Sequence, residues 1–162
     1  IGVRLVGSEM CIRDRIMNIK NYFNIKELVC KHVYNKFGEM AWTFFDPRLL
    51  ETMCVIREKL GKPITVNTWH SGGSLTQRGL RCNVCQLVAE KTRLEKVYVS
   101  AHLQGTALDF DVKGMTALEV RNWIKANQIL LPYPVRLEQD VTWVHLDVRT
   151  DGSNGKVTYF KG

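Results

Sequence analysis

Two segments in the second half of the chain alternate with a period of two, each with one apolar face and one face of reactive polar residues. In Thr106 to Val112, Ala107, Asp109 and Asp111 share one face while Leu108, Phe110 and Val112 share the other. In Val141 to Val148, Trp143, His145 and Asp147 oppose Val144, Leu146 and Val148. Strands of this kind need a cover for the apolar side, and helices are the usual one.

Helical segments are present to supply it. Asn24 to Phe37 carries Ile25, Leu28, Val29, His32, Val33 and Phe37 at helical spacing and ends at Gly38. A second helix is framed by Asp46 as N-cap, Pro47 at the first position and Gly61 as the stop, with a stripe of Leu49, Leu50, Met53, Val55 and Ile56. Thr116 and Glu119 form a capping box before Val120, Trp123 and Ile124. Arg81 to Leu94 contains a further helix. Strands are expected over Pro63 to Trp69, around Val97 to Val99, and from Lys156 to Phe160 after the turns Asp151-Gly152 and Asn154-Gly155. The expectation is an α+β fold with helices packed on a small antiparallel sheet.

The chain has 162 residues, enough for one domain with its own core. Hydrophobic residues at 45% and charged residues at 24% exclude a disordered chain. Leu5 to Arg15 resembles the translation of a transposase adapter from sequencing-library preparation. Residues 1–16 are therefore expected to be a cloning or assembly scar, and 17–162 the folded domain, starting at Met17.

Setting 1–16 aside lowers the net charge from +7 to +6, because three arginines and two acids go with it. A basic surface suits nucleic acid and the anionic polymers of a bacterial envelope alike. The Lys and Arg residues are dispersed, which speaks against a nucleic-acid interface. No run of eighteen apolar residues exists, so no membrane span is expected. Cys30, Cys54, Cys82 and Cys85 are too sparse for a disulfide scaffold. Cys82-x-x-Cys85 has no evident second pair; structural thiols are the plain reading, and a disulfide or a metal site completed by His70 is the alternative.

His102, Asp109 and His145 are the residue types that bind zinc. Three protein ligands with the fourth position open to water make a catalytic zinc site, whereas a structural site closes all four. Gly105 lets the chain turn sharply between His102 and Asp109.

The pattern Ser100-x-His102-x-x-Gly105-x-Ala107-x-Asp109, followed by Trp143-x-His145-x-Asp147, resembles the zinc D-Ala-D-Ala carboxypeptidase and L-Ala-D-Glu endopeptidase family, peptidase family M15. The likeness extends from about Asn24 to Arg149 and is nearest to the short phage and prophage members. It implies a hedgehog/DD-peptidase-like fold, a Zn2+ ion on His102, Asp109 and His145, and supporting roles for Ser100 and Asp147. The implied activity is hydrolysis of a peptide bond in peptidoglycan stem peptides, by a metallopeptidase of the carboxypeptidase or endolysin type. Such a protein is cytoplasmic when synthesised and reaches the cell wall after release or export. The alternative is a non-catalytic zinc-containing module that binds the wall or a protein.

Many members of that family carry an acid three positions before the last histidine ligand, where this chain has Thr142. A general base must come from elsewhere, and Glu138 and Asp140 are the nearest acids, Glu138 having the longer reach. Ser71-Gly-Gly with Gln77-Arg78-Gly-Leu-Arg81 resembles the family's arginine segment, which binds a substrate carboxylate. Arg78 has the better spacing and Arg81 is the second candidate. Trp69 and Trp143 are groove or core aromatics.

Overall fold

Asp46 opens a helix through its own side chain, which accepts the backbone N–H of Arg48 at 2.9 Å. In the computed structural model, which describes residues 19–150, 152 and 154–162, that helix is Pro47–Leu60 and ends on Gly61 at φ 64°. The expectation for residues 1–16 falls outside the described residues. The described helices are α1 (Ile25–Leu28), α2 (Lys31–Phe37), α3 (Pro47–Leu60), α4 (Gln86–Arg93) and α5 (Ala117–Ala126), with short 3-10 turns between some of them.

The strands are β1 (Ile64–Thr65), β2 (Ala107–Val112), β3 (Val135–Glu138), β4 (Val144–Asp147) and β5 (Val157–Phe160). They form one sheet in the order β1-β2-β4-β3-β5. The sheet is mixed, not antiparallel throughout, because β5 runs parallel to β3. The end of β4 lies beside the start of β3, and the chain then steps across β3 to its far edge and proceeds in the direction of β3.

Pairing fixes which side chains share a face. Asp109 is opposite His145 and Ala107 opposite Asp147 across β2 and β4. Arg136 is opposite Asp147 across β3 and β4, and Glu138 is opposite Phe160 across β3 and β5. The reverse face holds Leu108, Phe110, Leu137, Val144 and Leu146, all fully buried with Leu49, Leu50, Met53, Val120 and Ile124 from the helices. Buried Arg121 of α5 donates to the carbonyls of Val141 and Trp143, anchoring the chain as it enters β4.

Three expected elements differ. The helix expected over Asn24 to Phe37 breaks after Leu28, because Leu28 and Cys30 pair by backbone hydrogen bonds of 2.8 and 2.9 Å with Leu80. The strand expected over Pro63 to Trp69 is reduced to two residues. Val97 to Val99 forms no strand: Val97 is 94% exposed, and β-branched residues without a partner or a surface to pack on have no reason to extend. Residues 135–138, which carried no strand expectation, form β3.

Candidate metal centre

The polar face of the sheet gathers four titratable residues about its middle. Asp109 comes from β2, and His145 and Asp147 come from β4, all buried. His102 arrives from the turn before β2, which is held by its own hydrogen bonds. Ser100 Oγ accepts the His102 N–H at 3.1 Å, and the Ala101 carbonyl accepts the N–H and hydroxyl of Thr106. Gly105 closes the turn at φ 66°, and a Cβ there would collide with the Phe44 carbonyl. Gly105→Ala is expected to destabilise the protein by on the order of 1–3 kcal/mol in urea unfolding, since it combines backbone strain with that collision.

The donor atoms converge. His145 Nδ1 is 2.7 Å from Asp109 Oδ1, His102 Nε2 is 3.3 Å from Asp109 Oδ2, and the two imidazole nitrogens are 3.3 Å apart. Ligands held about 2.0–2.1 Å from a tetrahedral zinc are separated by about 3.3 Å, so two of the three edges already match. The outer nitrogens are engaged elsewhere. His102 Nδ1–H donates to the Gly79 carbonyl at 2.9 Å, and His145 Nε2–H donates to Asp147 at 3.4 Å. Those bonds fix the two rings so that His102 Nε2 and His145 Nδ1 both face Asp109, the ring placement that supports metal-binding histidines. Donor types and spacing could hold a metal ion.

The electrostatics favour positive charge at this point. Burial raises the Asp109 carboxyl, but hydrogen bonds from His102 and His145 outweigh it and hold the group far below the usual range. Burial depresses His102. Burial also depresses His145, but Asp109 and Asp147 on either side prevail and bring it up to about 9. Asp147 is held near about 2: burial raises it, and the hydrogen bonds of His145 and Arg136 lower it.

Asp147 is completely buried and receives both arms of the Arg136 guanidinium at 2.9 Å, plus the Arg149 N–H at 3.0 Å. Asp147→Ala removes a buried carboxylate that Arg136, His145 and the Arg149 N–H all engage, and is expected to cost about 3–5 kcal/mol in equilibrium unfolding. Because the folded carboxyl lies at about 2, below an unfolded aspartate at ~3.9, about 2–3 kcal/mol of this contribution belongs to the ionised carboxylate, is present above ~pH 4 and is lost as the pH falls through about 2. The stability gap between wild type and the alanine variant should therefore narrow over that acid range.

A cleft of about 410 Å3 opens on the cluster, lined by His102, Asp109, His145, Arg81, Tyr98, Ser100, Trp143, Arg149, Phe160 and Glu138. Glu138 belongs to it by register: continuing the pairing of β3 and β4 by one residue sets it opposite His145, so Asp109, His145 and Glu138 form one row across the sheet. Asp140 does not line the cleft; it sits in the following turn at φ 61°, exposed and paired with Lys161 at 2.9 Å. Thr142 lines a separate hollow beside α5.

The two candidate arginines diverge. Arg81 reaches the centre: it donates to Asp109 Oδ2 at 3.1 Å and to the Tyr98 hydroxyl at 3.3 Å, and its Nε–H bonds the Gln77 carbonyl. Arg78, the preferred candidate on spacing, pairs with Asp111 and lines an adjoining cleft of about 280 Å3. Arg81, Leu87, Asp109 and Trp143 border both clefts. Trp69 lies outside them and bonds the Val29 carbonyl at 2.9 Å.

Sequence reasoning missed how the segment 78–81 serves the centre through its backbone. The Arg78 carbonyl accepts the Asp109 N–H at 2.8 Å, the Gly79 carbonyl accepts from His102, and the Arg81 N–H donates to the His102 carbonyl at 3.1 Å. A Cβ at Gly79 would meet the Leu28 carbonyl, a close approach that was the one available signal. Cys82 and Cys85 gather with Cys30 and His32 and not with His70, which is exposed against Trp69. No helix among the described residues is long and apolar enough to cross a membrane. Compared with known proteins, the chain matches no family model, no curated protein and no solved structure.

Proposed function

We propose that this chain is a zinc-dependent peptidase that cleaves a peptide bond in the stem peptides of bacterial peptidoglycan, with the fold of the hedgehog/DD-peptidase group. The observation that carries the reading is the convergence of His102, Asp109 and His145 in an open cleft, with each imidazole oriented by a hydrogen bond from its outer nitrogen. Support also comes from the Ser100-to-Asp109 and Trp143-to-Asp147 motifs, whose spacing resembles that of the zinc D-Ala-D-Ala peptidases.

Zinc bound by these three residues would supply Lewis acidity toward the scissile carbonyl and acidify water. The chain's own groups do the rest. The Glu138 carboxylate takes a proton from the attacking water and returns it to the leaving nitrogen. Asp147 holds His145 through Nε2, and the Gly79 carbonyl holds His102 through Nδ1. Arg81 faces both clefts and offers a guanidinium to a substrate carboxylate, a terminal one or the side group of a D-Glu. Trp143 forms a wall for the peptide between the two clefts. In this reading the protein acts on the wall after release or export, in a phage or prophage setting.

Mass spectrometry of purified peptidoglycan fragments tests the proposal. Incubation with the protein is expected to release a terminal D-Ala, or to split the stem peptide internally, and chelation is expected to stop it. Fragments left intact by zinc-loaded protein would sink the enzyme reading and leave a zinc-containing binding module.

A further inference from the structure

Beside Leu80, whose carbonyl accepts the Cys30 N–H, four further side chains of metal-binding type meet. Cys30 immediately precedes α2 and His32 lies in its first turn, while Cys82 and Cys85 bracket the turn that leads into α4. Cys30 Sγ is 3.7 Å from Cys82 Sγ, Cys82 Sγ is 3.9 Å from Cys85 Sγ, and Cys85 Sγ is 3.8 Å from His32 Nδ1. All four donor atoms lie within 4.8 Å of one another.

We propose that Cys30, His32, Cys82 and Cys85 bind a second zinc ion, a four-ligand structural site distinct from the three-ligand centre. The edges carry the assignment. Thiolates about 2.3 Å from a tetrahedral zinc lie about 3.8 Å apart, the spacing of the Cys30–Cys82 and Cys82–Cys85 pairs. A disulfide requires sulfurs about 2.05 Å apart, and three thiols cannot all pair with one another; none is bonded here. Cys30 and Cys85 are 2% and 1% exposed, as core thiols often are. Thiols buried only for packing have no reason to aim their sulfurs at one point and at an imidazole nitrogen. The Cys82 N–H also points at Cys85 Sγ, at 3.4 Å, as backbone donors do around thiolate ligands. The second pair that Cys82-x-x-Cys85 lacked in sequence is Cys30-x-His32, fifty residues upstream.

Binding releases three thiol protons to solvent and leaves three thiolates and one neutral imidazole on Zn2+. The ion would clamp the 80–85 segment to α2, beside the backbone bonds of Leu80 to Leu28 and Cys30. That segment continues from Gly79 and carries Arg81, both of which contact the histidine cluster. The proposal does not depend on any peptidase activity.

The test uses metal content and thiol chemistry in the reduced full-length protein. Elemental analysis is expected to find two zinc ions per chain, and one after His145→Ala. Cobalt substitution of His145→Ala should give an intense thiolate-to-cobalt charge-transfer band. A mercurial thiol reagent should release that ion from the otherwise native protein, so the answer does not require a cysteine variant to fold. Cys82→Ser with Cys85→Ser, where it folds, should abolish the band and leave one zinc on the other site. Absence of the charge-transfer band, with thiols that react equally fast with and without zinc, would overturn the proposal.

Discussion

A His145→Ala protein is expected to lose one zinc ion per chain and to hydrolyse peptidoglycan at least about 10³-fold more slowly than wild type. The size follows from what the side chain does: metal Lewis acidity contributes several kcal/mol to such transition states, and each 1.4 kcal/mol is tenfold in rate. His145 is the middle member of the row Asp109–His145–Glu138, and it joins Asp109 to Asp147 through its two nitrogens. Its loss removes a ligand and leaves two buried carboxylates facing a vacated space, so a lower melting temperature should accompany the loss of metal. Zinc analysis and rate measurement on the same preparation check both parts. Full zinc retention by the variant would exclude His145 as a ligand.

Glu138→Gln separates the metal from the proton transfer. The amide keeps the shape of the side chain and cannot accept a proton from water. The turnover number should fall about 10²–10⁴-fold, the range contributed by a positioned general acid or base. Zinc content should be unchanged, because Glu138 is not among the converging donors. Asp140→Asn is the control and should retain nearly full activity: its carboxylate is exposed in the turn and paired with Lys161, away from the cleft. If Asp140→Asn and Glu138→Gln exchanged these outcomes, the base would have to reach the centre by a rearrangement of the β3–β4 turn.

The features that could be read in advance are those whose cause is local. Asp46, Pro47 and Gly61 bound α3, and Thr116 with Glu119 caps α5, because capping is settled within four residues. The alternation of 107–112 and 144–147 likewise assigns Asp109 and His145 to one face. Features caused by distant partners were hidden. The helix break at Cys30 exists because Leu80 takes over the backbone hydrogen bonds there, and nothing between Asn24 and Phe37 announces Leu80. The short alternation Val135-Arg-Leu-Glu138 becomes a strand through pairing on both sides, and only that pairing orients Glu138.

The arginines and cysteines follow the same rule. Spacing favoured Arg78, yet Asp111, on the same sheet face as Asp109, engages its guanidinium and leaves Arg81 at the centre. His32 appeared in sequence as one position of an apolar stripe; its ring nitrogen instead faces Cys85 Sγ. Three candidate ligands lie beside an open cleft and four face one another; in zinc proteins the first arrangement leaves room for chemistry and the second supports the fold.

Metal on His102, Asp109 and His145 is proposed to drive hydrolysis. The most direct test is to strip the protein with chelator, restore zinc stepwise, and count the amino groups released from purified peptidoglycan at each step. Activity that returns in proportion to zinc on this centre, and that stays about 10²–10⁴-fold lower at every zinc level in Glu138→Gln, is the predicted result. Zinc bound to the centre with no new amino groups released would contradict it.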